Sequence, residues 1–537
     1  MDIHKAKESI NGFISSNSQK LQNIFNPNWF HRNEKPKPLL KQIICEGANA
    51  IPSQFLQDSI HKSHNGGNPL TTNDLEDVIN SVNGWYRERG LFGFVSGKEV
   101  LPGGEILKLK VTEAEVNDIT LRFFDRETGK PIAGKTKEET ILGNLRIKKG
   151  EIYNVFDAQK DVKNVWDMGI MEDVSMIPTQ PVGDSGKIDL VMNLVEGVNS
   201  GFSPDVGFST GDLFSVNGLL SSVFGRVSYY NKNLFGRNQK MKVLWKGGKD
   251  VSTFGFDYKD PWKEGDDRSI SKSIMVQSAR APETLVFGYQ LDNSSISIDR
   301  VTAGVGFGRR FGKNWRGTAG ISYQRSGAFD NRGNLLTNDS YGNPVSASGN
   351  GYDKMVLAKL ESVHSKTGEG ESWNLVLSTE QGLPLVPEWL RFNRVNVDAR
   401  KEMVLGLSSR LNFSFSGGHM VGNFPPHEAF AIGGLNSVRG YEEGDVGSGR
   451  SYVVGSGELS TRIYGPVSGV VFADCGSDLG SGSSVPGDPA GARSKPGRGY
   501  GYGIGIHVDT PLAPLRLEFA FNGENENKFH VGLGHRN

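Results

Sequence analysis

The side chains of the types that do covalent chemistry or hold a metal form no such site when their spacing is read. His61 and His64 stand three apart near the end of an expected helix, but no third ligand lies nearby, and a solvated pair accounts for them. Glycine strings such as Gly304-Val305-Gly306, Gly447-Ser448-Gly449 and Gly503-Ile504-Gly505 do not follow a strand and open a helix, so they cannot cradle a phosphate. Cys45 and Cys475 are far apart in the chain and read as isolated thiols, with no disulfide framework or zinc site. No cofactor, no metal and no enzyme is expected. What remains is a set of charged residues whose use depends on the scaffold that places them.

That scaffold is constrained by composition. The chain has 537 residues, enough for several units. Its 60 basic and 60 acidic residues balance, which argues against a nucleic-acid partner. Glycine, at 70 residues, is roughly twice its usual share. Such an excess favours strands, turns and close backbone approach over helices. No run of eighteen apolar residues exists, and the start, MDIHKAKESINGF, lacks the apolar core of a secretory signal. If the chain meets a membrane, strands must span it.

Residues 38–197 have α/β grammar. A strand is expected over 39–46, a helix from Ser53 to about Lys62, and a second helix from Asn73 to Arg89 with Leu75, Val78, Ile79, Val82 and Tyr86 on one face. Gly90 ends it, and strands follow over 91–101 and 105–116. The order then repeats: a strand over 116–124, helices near 137–145 and 155–168, Gly169, and strands over 171–177 and 187–195. Two tandem modules, 38–115 and 116–197, are expected after a poorly ordered leader, 1–37.

From residue 198 the period becomes two. Leu515, Leu517, Phe519 and Phe521 alternate with Arg516, Glu518, Ala520 and Asn522, and Tyr500, Tyr502, Ile504 and Ile506 alternate with Gly501, Gly503, Gly505 and His507. One apolar and one polar face over ~9–11 residues is the pattern of a transmembrane β-barrel, apolar outward to lipid and polar inward. A closed sheet pairs every backbone group that lipid would leave unsatisfied. At about twenty residues per strand and connection, 198–537 holds about sixteen strands. The competing architecture is a soluble all-β sandwich or propeller.

A stretch too long for a hairpin, 417–450, carries Phe424-Pro425-Pro426-His427-Glu428-Ala429-Phe430, then Ile432-Gly433-Gly434, then Val438-Arg439-Gly440-Tyr441. Val-Arg-Gly-Tyr after a Gly-Gly pair resembles the sixth-loop motif of the BamA-like outer-membrane assembly superfamily, and the two modules then resemble POTRA (polypeptide-transport-associated) repeats. NLFGRNQ (233–239), EQGLP (380–384), NSVRGYEEG (436–444), GSGRSYVVGSGEL (447–459) and VPGDPAGAR (485–493) resemble the chloroplast outer-envelope branch of eighty-kilodalton type. The resemblance covers roughly 40–537. It departs in having room for two modules where that branch carries three, and in Pro204-Asp205-Val206, which interrupts a first barrel strand that is glycine-rich in the branch.

The resemblance implies a mainly β fold, a sixteen-stranded barrel preceded by two POTRA modules, whose loop folds back into the lumen. It places Arg439 on Asp474 and Glu458, and a guanidinium's planar fork suits two carboxylates where an ammonium does not. It implies residence in the chloroplast outer envelope, with the modules in the intermembrane space. Implied partners are membrane lipids, unfolded β-barrel clients or preproteins, and other envelope translocon components. The working site is expected at the seam between the first strand (Phe202, Pro204, Val206, Phe208) and the last (Phe529, Val531, Leu533). Pro204 donates no ladder hydrogen bond and would weaken that seam; the alternative is that it lies in the linker and the strand starts near Val206. Barrel assembly is the leading function, with a preprotein import channel as alternative and a passive porin less favoured.

Overall fold

The computed structural model describes residues 42–52, 54–56, 58, 72–101, 106–181, 184, 186–208, 223–248, 252–266, 268–282, 297–330, 332–339, 342–406, 408–486, 495–510, 514–524 and 526–534. The expected leader, most of the helix from Ser53 and the segment VPGDPAGAR beyond Pro486 lie outside them. Contacts divide the chain into two units, one holding residues 1–199 with the segments 232–238 and 263–266, the other the remainder.

In the first unit, β1 (Gln42–Glu46), α1 (Thr72–Glu88), β2 (Gly93–Val100) and β3 (Ile106–Glu113) form one module. The sheet order is β1-β3-β2, with β1 parallel and β2 antiparallel to β3. Val78, Val82 and Tyr86 recur at helical spacing on α1 and are buried with Leu107, Leu109 and Val111 of β3. Glu113 ends β3 by accepting from the Tyr86 hydroxyl (2.7 Å) and from the backbone N–H groups of Asn49 (3.0 Å) and Ala50 (2.9 Å).

The second module contains β4 (Glu115–Phe124), β5 (Pro131–Ile132), α2 (Glu138–Leu142), α3 (Val155–Asp167), β6 (Met171–Thr179) and β7 (Lys187–Glu196), with sheet order β5-β4-β7-β6. Asn154 caps α3 by accepting from the N–H groups of Phe156 and Asp157. Ile141 and Val165 meet Ile188, Leu190, Met192 and Leu194 in a separate core. Asp161 is fully buried and accepts from the N–H groups of Arg146 (2.8 Å) and Ile147 (3.0 Å). Burial pushes its carboxyl pKa up, and the two donors pull it back. Trp85 and Trp166 end the two helices alike in sequence but not in setting: Trp85 is buried, Trp166 exposed.

The second unit is a closed barrel. Its strands begin with β8 (Ser200–Phe208), β9 (Val223–Leu234), β10 (Gln239–Gly248), β11 (Ser252–Asp260) and β12 (Ser271–Pro282). They continue with β13 (Ser297–Phe311), β14 (Trp315–Phe329), β15 (Leu335–Leu336), β16 (Tyr352–Thr367), β17 (Glu371–Gly382), β18 (Phe392–Val404) and β19 (Ser409–Gly422). After a loop ribbon of β20 (Phe430–Ile432) and β21 (Gly447–Gly449) come β22 (Ser451–Tyr464), β23 (Val467–Ser477), β24 (Arg498–Val508), β25 (Leu515–Asn522) and β26 (Asn527–Leu533). The two-residue β15 lies on the end of β14, which pairs directly with β16, so among the described residues sixteen strands complete the circuit and β26 returns to β8.

The side-chain alternation is inverted relative to a soluble protein. Tyr500, Tyr502, Ile504 and Ile506 of β24 are 57%, 52%, 60% and 47% exposed. On β25, by contrast, Arg516, Glu518 and Asn522 are buried. A soluble sandwich would bury the first set; a membrane-spanning cylinder turns it to lipid. Among the described residues no helix is long and apolar enough to cross a membrane.

One expectation needs correction. The in-folded segment does not start at Gly417, because β19 runs on to Gly422 and pairs with both neighbours through Gly418. Gly417-Gly418 reads as a loop, yet a Cβ at Gly418 would crowd Asn396, Tyr452 and Phe430. Gly418 serves close packing inside a strand. The connection between strands is therefore 423–450.

Candidate functional site

The site forms where the loop lies against β22 to β26. Alternation puts Ser456 and Glu458 on one face of β22, Phe472 and Asp474 on one face of β23, and Arg516 and Glu518 on one face of β25. Cross-strand register aligns Ser456 with Asp474, Asp474 with Gly501, and Gly505 with Glu518. The intervening β24 presents Gly501, Gly503 and Gly505 where other strands carry side chains, which leaves a trough for the loop. A Cβ at Gly501 would collide with the Arg439 carbonyl oxygen.

Arg439 is fully buried in that trough. Its Nε and Nη2 donate side-on to Asp474 at 2.7 and 2.9 Å, and its backbone N–H donates to the same carboxylate at 3.1 Å. Nη1 donates to Glu458 at 3.0 Å and lies 3.3 Å from Glu518. The guanidinium carbon stands 3.4 Å from the ring centroid of Phe472, a cation–π contact. Ser456 donates to Asp474 (2.6 Å), and His507 Nε2 is 2.8 Å from Glu518. Glu458, His507 and Glu518 bring ligand-type atoms within 4.8 Å of one another, which is metal-site spacing. The arginine's Nη1 already bridges the two glutamates, so the cluster has its cation.

The rest of the motif fixes the loop backbone. Val438 is fully buried and packs with Ile432, Tyr441, Val446 and Val454. Gly440 has φ +95°, a region costly to other residues, and its N–H donates to His530 Nε2 at 3.0 Å while its carbonyl accepts from Asn522 at 3.2 Å. The Tyr441 hydroxyl accepts from the Gly523 N–H at 3.3 Å. Beyond the motif, Lys528 Nζ lies 3.0 Å from Glu442 and 3.8 Å from Asp445. Both His530 and Lys528 belong to β26, the last strand.

The structure places the seam residues on the two strands that close the barrel. β8 begins at Ser200, so Pro204 sits inside the strand, opposite Val227 of β9, and not in a linker. Phe202 is 75% exposed, with its ring 4.9 Å from that of Tyr229. Phe529 and Val531 also face outward. Val206, Phe208 and Leu533 lie in β8 and β26, with side chains outside the described residues.

Sequence reasoning missed a second contact of the loop. Glu428, on the short 3-10 turn Pro426–Glu428, is only 9% exposed and accepts from Arg300 (2.7 Å), Gln324 (2.8 Å) and Arg394 (2.7 Å). Arg394 also donates to the Glu428 carbonyl (2.9 Å) and to Glu380 (3.3 Å), which in turn holds Lys359 (2.7 Å). The neighbouring His427 is buried with Nε2 3.1 Å from the Ser326 hydroxyl. Nothing in the loop sequence singles Glu428 out. Glu518 was more accessible, because its place on the polar face of β25 already put it in the lumen.

A membrane barrel with an in-folded Val-Arg-Gly-Tyr loop defines a class, and comparison places the chain in it. Residues 233–537 match the Omp85 superfamily domain, and residues 132–197 match the POTRA family described as surface antigen variable number repeat. The chain belongs to the Omp85 superfamily. It is 54% identical over 503 residues to Outer envelope protein 80, chloroplastic, of Arabidopsis thaliana, covering 94% of this chain and 68% of that protein. Identity to the Oryza sativa subsp. japonica protein of the same name is also 54%, over 496 residues, covering 92% and 73%. Identity to Protein TOC75, chloroplastic, of Pisum sativum is 23% over 471 residues, covering 79% and 57%. Among solved structures, BamA from Haemophilus ducreyi lacking POTRA domains 1-3 aligns over 92% of this chain and 98% of its own, at 14% identity and a TM-score of 0.58. CdiB from Escherichia coli aligns over 99% and 96%, at 14% identity and a TM-score of 0.61. The protein is an integral β-barrel of the chloroplast outer envelope.

Proposed function

We propose that this protein inserts other β-barrel proteins into the chloroplast outer envelope through the seam between β8 and β26, without covalent chemistry or a cofactor. The observation that carries the reading is that one loop motif engages both the lumen wall and the closing strand: Arg439 on Asp474, Glu458 and Glu518, and Gly440 on His530. Withdrawal of the loop removes bonds from β26, the strand that must part from β8 if a client strand is to pair there. Pro204 removes one N–H from the β8 ladder.

The POTRA modules would receive extended clients by edge pairing. Both sheets leave an edge strand for this, β2 in the first and β6 in the second, and the exposed Ile177 of β6 offers an apolar contact. The modules would act in the intermembrane space, beside other translocon components. A preprotein-conducting role is the second reading, supported by the relationship to Protein TOC75.

Cysteines placed across β8 and β26 and oxidised in the intact envelope test the proposal. Insertion of radiolabelled barrel clients should stop, while import of soluble preproteins continues. Loss of import with insertion unchanged would reverse the assignment in favour of the conducting channel.

A further inference from the structure

We infer that Glu428 is a second latch on the loop, opposite in sign to Arg439, and that the loop leaves the lumen only when both are undone. The inference rests on the reading of the loop as a movable lumenal element. The two residues lie on one connection but dock on different parts of the wall. Arg439, a cation, sits among carboxylates of β22, β23 and β25; Glu428, an anion, sits among donors from β13, β14 and β18.

Each dock is built and largely buried. Glu428 receives three side-chain donors on its two oxygens, two of them guanidinium groups, and a surface glutamate does not collect such a set by accident. Arg394 bonds both the carboxylate and the carbonyl of Glu428, so it recognises the turn as well as the charge. Around this point Phe424 and Ala429 of the loop pack with Met355, Leu357, Phe392 and Met420 of the wall. The loop is thus clamped at its entry, while the motif clamps it further along.

Two tethers on one short segment reinforce each other. When one opens, the other holds the first near its dock at a high effective concentration, and rebinding outruns departure. Loss of either alone therefore leaves the loop in the lumen most of the time. The opposite signs matter as well: a client bearing charge of one sign competes at one dock only, so a single wrong contact does not open the barrel.

The test reads loop position and not client insertion, so it can fail independently of the proposed function. In full-length protein with Cys45 and Cys475 replaced by serine, Ser448→Cys puts a thiol at a fully buried loop position. Its reaction with a maleimide-polyethylene glycol is followed in lipid vesicles, and heat-dependent gel migration reports that each barrel is folded. Adding Glu428→Gln to Arg439→Ala should raise the labelling rate at least about tenfold over Arg439→Ala alone. Glutamine fills the same space as glutamate, so a purely space-filling role would leave the rate at that of Arg439→Ala. Arg300→Gln, a change on the wall that leaves the loop intact, supplies the same comparison if the Glu428 variant does not fold. Labelling at the Arg439→Ala rate in either combination would overturn the second latch.

Discussion

Lys528, on the last strand of the barrel, holds the carboxylate of Glu442 in the in-folded loop at 3.0 Å. Two residues on, His530 accepts from the backbone N–H of Gly440. The two bonds join the same elements but differ in worth. Lys528 and Glu442 are 28% and 66% exposed, and screened pairs of that kind contribute roughly 0–1 kcal/mol. The Gly440 N–H is buried, and stripping its acceptor costs about 1–3 kcal/mol. His530→Ala should therefore lower the temperature at which the folded barrel loses its compact gel migration, with Lys528→Ala close to wild type. Equal effects would mean that the histidine bond does not hold the loop to the closing strand.

Arg439→Ala leaves three carboxylates facing a vacated, buried site. Breaking one side of such a cluster costs on the order of 3–5 kcal/mol, less to the extent that lumen water enters. Thermal unfolding should fall accordingly, and single-channel conductance in planar bilayers should change as the trough on β24 opens. Arg439→Lys should recover only part of the loss, because a point ammonium cannot bond Asp474 side-on while also reaching Glu458. Wild-type stability and conductance in Arg439→Ala would remove the ion cluster from any role in holding the loop.

The reach of sequence reasoning differs along the loop for physical reasons. Arg439 and Asp474 could be paired because the Val-Arg-Gly-Tyr motif resembles one whose arginine meets acidic residues on the barrel wall. Glu518 lies on the polar face of an alternating strand, yet its nearness to Arg439 depends on barrel register, which alternation does not encode. Glu428 was illegible because its partners come from Arg300, Gln324 and Arg394, each distant in the chain, and a carboxylate in a Pro-rich loop looks solvated. Gly418 misled in the other direction: glycine marks turns in most contexts, whereas here, inside a strand, it makes room for its neighbours. The first-strand proline was read both ways, and the ladder from Ser200 to Phe208 settles where it lies.

In the second POTRA module, Asp161 ties the segment after α2 to α3 through the N–H groups of Arg146 and Ile147. Asp161→Ala removes two acceptors at once and leaves two donors without partners, a loss of about 1–3 kcal/mol for each group that water cannot reach. Amide hydrogen exchange in the whole protein should quicken at Arg146 and Ile147, with protection in the barrel strands unchanged. Unaltered exchange at both amides would show that the carboxylate does not hold this segment.

Gly501 tests the trough directly. It pairs with Asp474 on one side and Asn522 on the other, and the loop backbone at Arg439 is pressed against it. A methyl group there has nowhere to go, because the atom it meets is a carbonyl oxygen of the loop backbone and not the end of a flexible side chain. Gly501→Ala should therefore displace the motif while leaving every charged residue in place, lowering thermal stability and changing conductance in the direction of Arg439→Ala. Gly455→Ala on β22 is the matched control: its new methyl would meet only the Cys475 sulfur at 3.6 Å, an ordinary contact. If the two glycine variants behave alike, the glycines of β24 serve the general closeness of barrel strands, and the loop does not depend on a trough made by leaving side chains out.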